Sequence, residues 1–379
     1  MNLSGSPTFG GKKALASLCL LIFGVMLVAA FWPFRLHPKN RVTWLGNERG
    51  LHFGGGGIVL GSKEFEFSDS GATAGVSLEM WVEPSQDKYS AALLAASSRR
   101  NPEQFRLRQD SDGLLVLQEP FSSSRHSALA ALWVAHAFQA HQRSFISISS
   151  GTRGTTVYVD GVPTKKSSTF RLTEKDFSGQ LIIGSAPADT YDTWRGEFLG
   201  MALFGRELSQ AQVAEHYQAW LHGRPEDLMS DRPAALYVFE EGAGNIVHNQ
   251  MTSASDLVIP ASFRIPFKPF LKAPWREFHF NRSYLQDVLI NVSGFVPFGF
   301  FFCMYFSWGQ ANRKAVLATI VLGAVFSLTI EILQWYIPTR DSGTTDILTN
   351  TLGTALGALL YRSGTLHALF DRLTSRTIA

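Results

Sequence analysis

Cysteine is nearly missing from this chain, with two residues, Cys19 and Cys303, in 379. A disulfide-stapled scaffold is therefore excluded, and neither cysteine sits at a metal-binding spacing. Both lie inside apolar runs, where a small buried side chain is the simple reading. Charge is scarce too. Asp, Glu, Lys and Arg make up 17% of the chain, against roughly 25% in a soluble domain. A formal net charge of +3 gives no argument for nucleic acid. The ten histidines are scattered without metal spacing. The glycine run at 54–57 lacks the Gly-Lys-Ser/Thr ending of a phosphate loop and reads as a flexible turn. No strand alternates Glu and Asp so as to put two carboxylates on one face, as a glycoside hydrolase needs.

Apolar length is abundant. Residues 14–34, "ALASLCLLIFGVMLVAAFWPF", reach the roughly 20 residues that cross a bilayer. The run ends in Phe31, Trp32 and Phe34, which suit an interfacial belt better than a signal-peptidase site, so a retained anchor is favoured over a cleaved signal. Three further runs begin at Asp287, Ala315 and Asp346, the last short and polar at its start. Its Gly353 and Gly357 allow close helix packing. Lys12 and Lys13, Arg313 and Lys314, and Arg362, Arg372 and Arg376 all fall on one side of four spans. That side is then cytoplasmic, with both termini inside and residues 35–279 outside.

The outside stretch reads as β. "VSLEMWVEP", "SFISISS", "TTVYVDGVP", "GQLIIGS" and "EFLGMALFG" are short strand-like runs separated by turns such as Asp160-Gly161. One amphipathic helix stands out, "LSQAQVAEHYQAWL", with Ser209 as its N-cap. Many short strands with little helix predict an all-β sandwich or jelly roll. Asp189, Tyr191, Asp192 and Trp194 crowd one loop. An aromatic beside carboxylates suits a carbohydrate, and the alternative is a surface loop whose Trp packs under the sheet. A Ca²⁺ ion on Asp189 and Asp192 is the one cofactor this pattern leaves open.

The strands beginning "SLEMWVEP", "VYVDGVP" and "LIIGSAPADTYDTWRGEFLGMALFGRELSQAQVAEHY", with "ALYVFEEGAGNIVHNQ", resemble the laminin-G/concanavalin-A-like sandwich family over residues 45–262. The resemblance implies the fold, and a lectin-like role in binding an envelope glycan or peptide. Residues 263–282, "RIPFKPFLKAPWREFHF" and its surroundings, then return the chain to the membrane. Three prolines discourage helix there, and interleaved aromatic and basic residues suit the headgroup layer.

Polar pairs mark the outer ends of three spans. Asp287 with Asn291, Glu331 with Gln334, and Asp346 with Asn350 each stand three or four residues apart, on one helical face. Arg340 lies in the connecting loop. Ionisable groups in a span are costly, roughly 2.5–3.5 kcal/mol at its centre. Helix capping accounts for the two aspartates but not for Glu331 near a C-terminus, where the dipole disfavours it. A network gluing the helices is the remaining structural alternative.

"DVLINVSGFVPFGF" and "IEILQWYIPTRDSGTTDILTNTLGTALG" resemble the VanZ-like membrane-protein family, through Asp287, Asn291, Gly294, Pro297, Gly299, Glu331, Gln334, Arg340, Asp346, Asn350 and Gly353. The resemblance implies a bundle at residues 283–362 with the first span at 14–34, a cytoplasmic N-terminus at 1–13 and a cytoplasmic tail at 363–379. It also implies a bacterial envelope protein of the cytoplasmic membrane, with a family link to glycopeptide-antibiotic resistance. The expectation is a multidomain protein with four transmembrane helices and an inserted sandwich. The sandwich meets an envelope glycan or peptide, while in the polar outer-leaflet pocket Arg340 holds an anionic headgroup or carboxylate, as of a lipid-linked precursor, and Asn291, Gln334 and Asn350 position polar groups; binding is favoured over catalysis. A membrane enzyme using Glu331 or Asp346 on a lipid-linked substrate, and a plain structural anchor for the sandwich, are the alternatives.

Overall fold

The computed structural model describes residues 9–67, 75–119, 130–187, 193–251, 255–278, 282–308 and 313–363. Contacts divide the chain into two units: Met1–Leu36 with Pro269–Ala379, and His37–Lys268.

The second unit is an all-β sandwich of two antiparallel sheets. One sheet holds β1 (Val42–Trp44), β2 (Leu51–Gly54), β4 (Val76–Pro84), β9 (Ser144–Gly151), β10 (Gly154–Val159), β11 (Val162–Ser167), β13 (Arg195–Phe204) and β14 (Ala235–Tyr237). Its order is β1-β2-β13-β4-β9-β10-β11, with β14 also on β13. The other holds β3 (Val59–Gly61), β5 (Ser90–Ser97), β6 (Phe105–Asp110), β7 (Gly113–Gln118), β8 (Ala130–Val134), β12 (Gln180–Ile183), β15 (Ile246–Val247) and β16 (Leu257–Val258), in the order β15-β16-β3-β12-β5-β6-β7-β8.

Period-two alternation builds the core. In β4, Val76, Leu78, Met80 and Val82 enter the space between the sheets. Ser77, Glu79 and Trp81 face the other way and are buried as well. What covers them is α3 (Gln210–Leu221). Its Val213, Ala219 and Trp220 pack with Trp81 and Phe145. Ser209 is its N-cap, with a reciprocal capping box to Gln212. A single-turn helix, α2 (Glu174–Phe177), also lies in this unit. At the β10–β11 hairpin, Asp160 and Gly161 both have positive φ, 50° and 77°, as a two-residue type I′ turn demands.

The first unit is helical. It comprises α1 (Phe9–Phe31), α4 (Pro274–Glu277), α5 (Arg282–Phe306), α6 (Arg313–Trp335) and α7 (Thr344–Ser363). Three stretches, Gly11–Phe31, Tyr284–Phe306 and Lys314–Trp335, are long and apolar enough to cross a membrane. Leu20, Leu289 and Leu317 stand 70%, 68% and 64% exposed on them; a bilayer, not water, suits such surfaces. The fourth long helix, α7, falls outside that set because its inner face is small and polar: Thr349, Asn350, Gly353, Thr354, Gly357 and Ala358 are buried. It gains close approach instead. A Cβ at Gly353 would strike the Val292 carbonyl and one at Gly357 the Val296 carbonyl of α5, as small-xxx-small packing requires. Phe295, Phe298, Phe326 and Ile330 form the apolar centre, and Phe23 of α1 stacks on Phe326 at 4.3 Å.

Candidate functional site

The N-terminus of α7 organises the polar end of the helical unit. The first amides of a helix lack intrahelical partners, and three different segments supply them here. Gly343 N donates to Glu331 Oε2 at 2.8 Å, Thr344 N to the Lys272 carbonyl at 3.0 Å, and Thr345 N to Glu277 Oε2 at 3.0 Å. Glu331 thus ends α6 yet serves the start of α7, where the helix dipole favours an acid. That resolves the apparent misplacement of an acid near a helix C-terminus.

Glu331 is 1% exposed. Its carboxyl comes within hydrogen-bonding range of the Asp346 carboxyl. Asn291 Nδ2 donates to Asp346 Oδ1 at 2.8 Å. One turn deeper, Asn350 Nδ2 donates to Ser327 Oγ at 2.9 Å. The i, i+4 and i, i+3 faces of three helices therefore do converge, and Asn291, Glu331, Asp346 and Asn350 gather there. Asp287 is exposed on α5, near enough to act on Asp346 through charge.

Gln334 and Arg340 turn elsewhere. Gln334 Nε2 donates to the Ala30 carbonyl at 2.8 Å, and Arg340 Nη2 donates to the Trp32 carbonyl. Both engage carbonyls at the C-terminal end of α1, where the dipole welcomes a cation. Among the described residues, no salt bridge reaches Glu331, Asp346 or Glu277; the nearby cation Lys272 pairs with Asp341 at 3.2 Å.

Three participants escaped sequence reasoning. Glu277 holds Thr345 through both N–H and hydroxyl, and its partner lies 68 residues on, beyond any local pattern. Ser327 and Ser342 are both fully buried, and single serines in apolar runs carry no distinctive signal. Two buried atoms of this region have no hydrogen-bond partner, Asn350 Oδ1 and Ser342 Oγ. Such orphans are rare in folded proteins and cost about 1–3 kcal/mol each.

In the sandwich, Trp194 is fully buried. Its Nε1 donates to Gln109 Oε1 at 3.0 Å, and its ring meets Phe53 and Phe198 edge-on. It is a core residue with no face to offer a sugar, because strand β13 begins directly after it and turns it inward. Asp189, Tyr191 and Asp192 lie outside the described residues. No group of three or more His, Cys, Asp or Glu that could hold a metal ion occurs among the described residues.

Fold and site define a protein with membrane-suited helices and an all-β, lectin-like sandwich. Residues 235–368 match the family model described as VanZ/LLP1, and residues 55–214 match the concanavalin A-like lectin/glucanases superfamily. The chain thus joins a VanZ-like segment to a concanavalin A-like one, the VanZ/LLP1 match starting at β14 inside the sandwich unit. No curated protein matches the chain. Among solved structures, a proposed carbohydrate binding protein from Bacteroides ovatus is 10% identical, covering 60% of this chain and 62% of its own, at a TM-score of 0.39. A SAP-like pentraxin from Limulus polyphemus is 12% identical over 48% of this chain and 79% of its own, at 0.33. The receptor binding domain of botulinum neurotoxin D is 12% identical over 48% and 47%, at 0.35; the chain spans about half its length. Likenesses this distant carry nothing about ligand.

Proposed function

We propose that this is a cell-envelope membrane protein whose helical unit binds the polar headgroup of a lipid or lipid-linked precursor. The sandwich then recognises an envelope glycan or peptide. In this reading α7 completes a four-helix membrane bundle, both termini are cytoplasmic, and the sandwich lies outside. Lys12, Lys13, Lys314 and Arg362 on one side of the spans support that orientation. The link to glycopeptide resistance belongs to the same proposal and rests on the VanZ-like match alone.

One observation carries the binding reading: two buried polar atoms, Asn350 Oδ1 and Ser342 Oγ, lack partners beside an amide-and-acid network that no cation neutralises among the described residues. A ligand with hydroxyl or amide donors satisfies such atoms. Asn291 and Asn350 then position the ligand, and Arg340, with four N–H donors beyond the one given to Trp32, meets an anionic headgroup.

The test is native mass spectrometry of the detergent-purified protein beside Glu331→Gln and Asn350→Leu. A lipid or lipid-linked sugar retained by the wild type and lost by both folded variants supports the reading. A bare wild type, with variants that are merely less stable, overturns it in favour of an anchor.

A second reading draws on the contact between the Glu331 and Asp346 carboxyls. A carboxyl pair is general acid–base apparatus for a lipid-linked substrate. Glu331→Gln then keeps the co-purifying lipid but abolishes its turnover; loss of the lipid itself argues for binding alone.

A further inference from the structure

Four connections of the sandwich meet at one end: β4–β5, β6–β7, β8–β9 and β10–β11. They are cross-tied. Ser111 N donates to the Tyr89 carbonyl at 3.1 Å, Phe138 N to the Asp112 carbonyl at 2.8 Å, and His141 N to the Pro84 carbonyl at 2.8 Å. Asp160 N donates to the Phe145 carbonyl at 2.8 Å, and Phe145 N returns the bond to Asp160 Oδ1 at 2.8 Å. Between these loops lies a cleft of about 790 Å³, within the range of small-molecule sites.

Its lining carries three carboxylates, each anchored by one oxygen. Asp87 Oδ1 accepts from Ala140 N, Asp112 Oδ2 meets His136 Nδ1 at 2.5 Å, and Asp160 Oδ1 accepts from Phe145 N. Among the described residues the second oxygen of each makes no hydrogen bond. The side chains of Lys88, Gln139 and Gln142, on the same lining, make none either. Fixed acceptors and unengaged donors therefore face one space, with half-buried Val159 among them and the core residues Ala137 and Phe138 beneath.

We propose that this cleft binds a neutral oligosaccharide. Vicinal hydroxyls both donate and accept, which matches carboxylates beside amides. Three carboxylates oppose an anion, and Lys88 is the positive charge set against a cation, Arg143 being already paired with Glu48 and Glu83. A peptide is less suited, since the lining holds no deep apolar pocket for a side chain. Rigid, cross-tied loops lower the ordering cost of binding. The inference rests on the proposed glycan recognition by the sandwich, and places it away from Trp194.

The experiment uses the full-length protein in detergent, with glucan, mannan and chitin oligosaccharides, acidic oligosaccharides and a peptide library as probes. The expected result is binding of a neutral oligosaccharide, weakened about tenfold or more by Asp112→Asn and by Gln142→Ala, with an unchanged unfolding midpoint. Glu215→Gln, exposed on α3, leaves affinity unchanged. Because Asp112 also holds a loop, Gln142→Ala and Lys88→Ala decide if Asp112→Asn unfolds. Neutral-sugar binding that both of these leave intact overturns the cleft but not glycan recognition. Selective binding of acidic sugars or peptides overturns the ligand class. No binding of any oligosaccharide overturns the cleft and the lectin reading together.

Discussion

Glu79 in the sandwich and Glu331 in the helical unit are both buried, at 0% and 1% exposure, yet they are kept in opposite ways. Glu79 has a histidine partner. Both of its oxygens lie 3.0 Å from His216 Nδ1, and His216 Nε2 lies 2.9 Å from Asp231 Oδ2. Asp231 is held in turn by Arg206 and Gln212. That chain rivets α3 to the outer face of β4. Glu331 has an amide and another carboxyl, with Glu277 and Asp346 near it and no cation on any of them among the described residues. Buried charge paired with opposite charge is what structure alone needs. Buried acids gathered with amides and orphaned oxygens are what a binding site needs. The contrast sets a charge-paired clamp beside an acid cluster that no cation pairs among the described residues.

The largest expected effect breaks the clamp. His216→Ala leaves Glu79 buried without its histidine partner and destabilises the sandwich by about 3–5 kcal/mol, read as a drop in urea midpoint. A loss under about 1 kcal/mol would mean that Glu79 is no better kept than Glu331.

The clamp is also sensitive to pH. Burial pushes Glu79 above the usual carboxylate range, outweighing His216 and Ser147. Burial opposes the His216 imidazolium, but hydrogen bonds and charge from Glu79 and Asp231 prevail and raise it above 6.5. Asp231 resists burial through His216, Arg206 and Gln212 and ends below 3.8. Groups raised on folding take up protons, so their stabilisation is full below their unfolded pKa and fades as pH rises. Glu79 and His216 therefore make the sandwich less stable at about pH 8.5 than at about pH 5. Asp231 contributes throughout that window and is lost only in stronger acid, as pH falls through its lowered pKa. Urea unfolding at both pH values checks the sign, and the double variant Glu79→Gln/His216→Gln, which removes both raised groups, should flatten the difference.

Glu331→Gln sharpens the other side of the comparison. The amide oxygen still accepts from Gly343 N and strands no cation, so stability changes within about 1 kcal/mol by thermal unfolding in detergent. A cost equal to that of His216→Ala would make Glu331 a second clamp. Arg340→Ala gives the smallest effect, about 0.5–1 kcal/mol for one hydrogen bond to the Trp32 carbonyl, by the same assay. A fall of several kcal/mol would assign Arg340 to holding α1.

Local patterns were readable wherever neighbours along the chain do the work. The Asp160-Gly161 turn, the Ser209 cap, the alternation of β4 and the helical spacing of Asp346 with Asn350 depend on residues within a few positions. Trp194 shows the limit. Beside Tyr191 and two aspartates the sequence leaves two readings open, an aromatic offered to a sugar or a Trp packed under the sheet, and only the contacts with Gln109, Phe53 and Phe198 decide for the second. Arg340 shows it again. Charge suggests a carboxylate partner, while the fold offers the carbonyl of Trp32.

Apolar runs on both sides of a strand-rich segment, one before it and three after, the caps and turns, and which polar residues share a helical face all follow from the sequence by itself, because hydrophobic length and side-chain period are local properties. Tertiary structure alone decided that Glu331 serves the start of α7, that Glu277 joins it from 68 residues away, and that four loops enclose a polar cleft. The reason is physical. A buried hydrogen bond is set by where two distant segments meet, and a cleft is the space that packed elements leave between them.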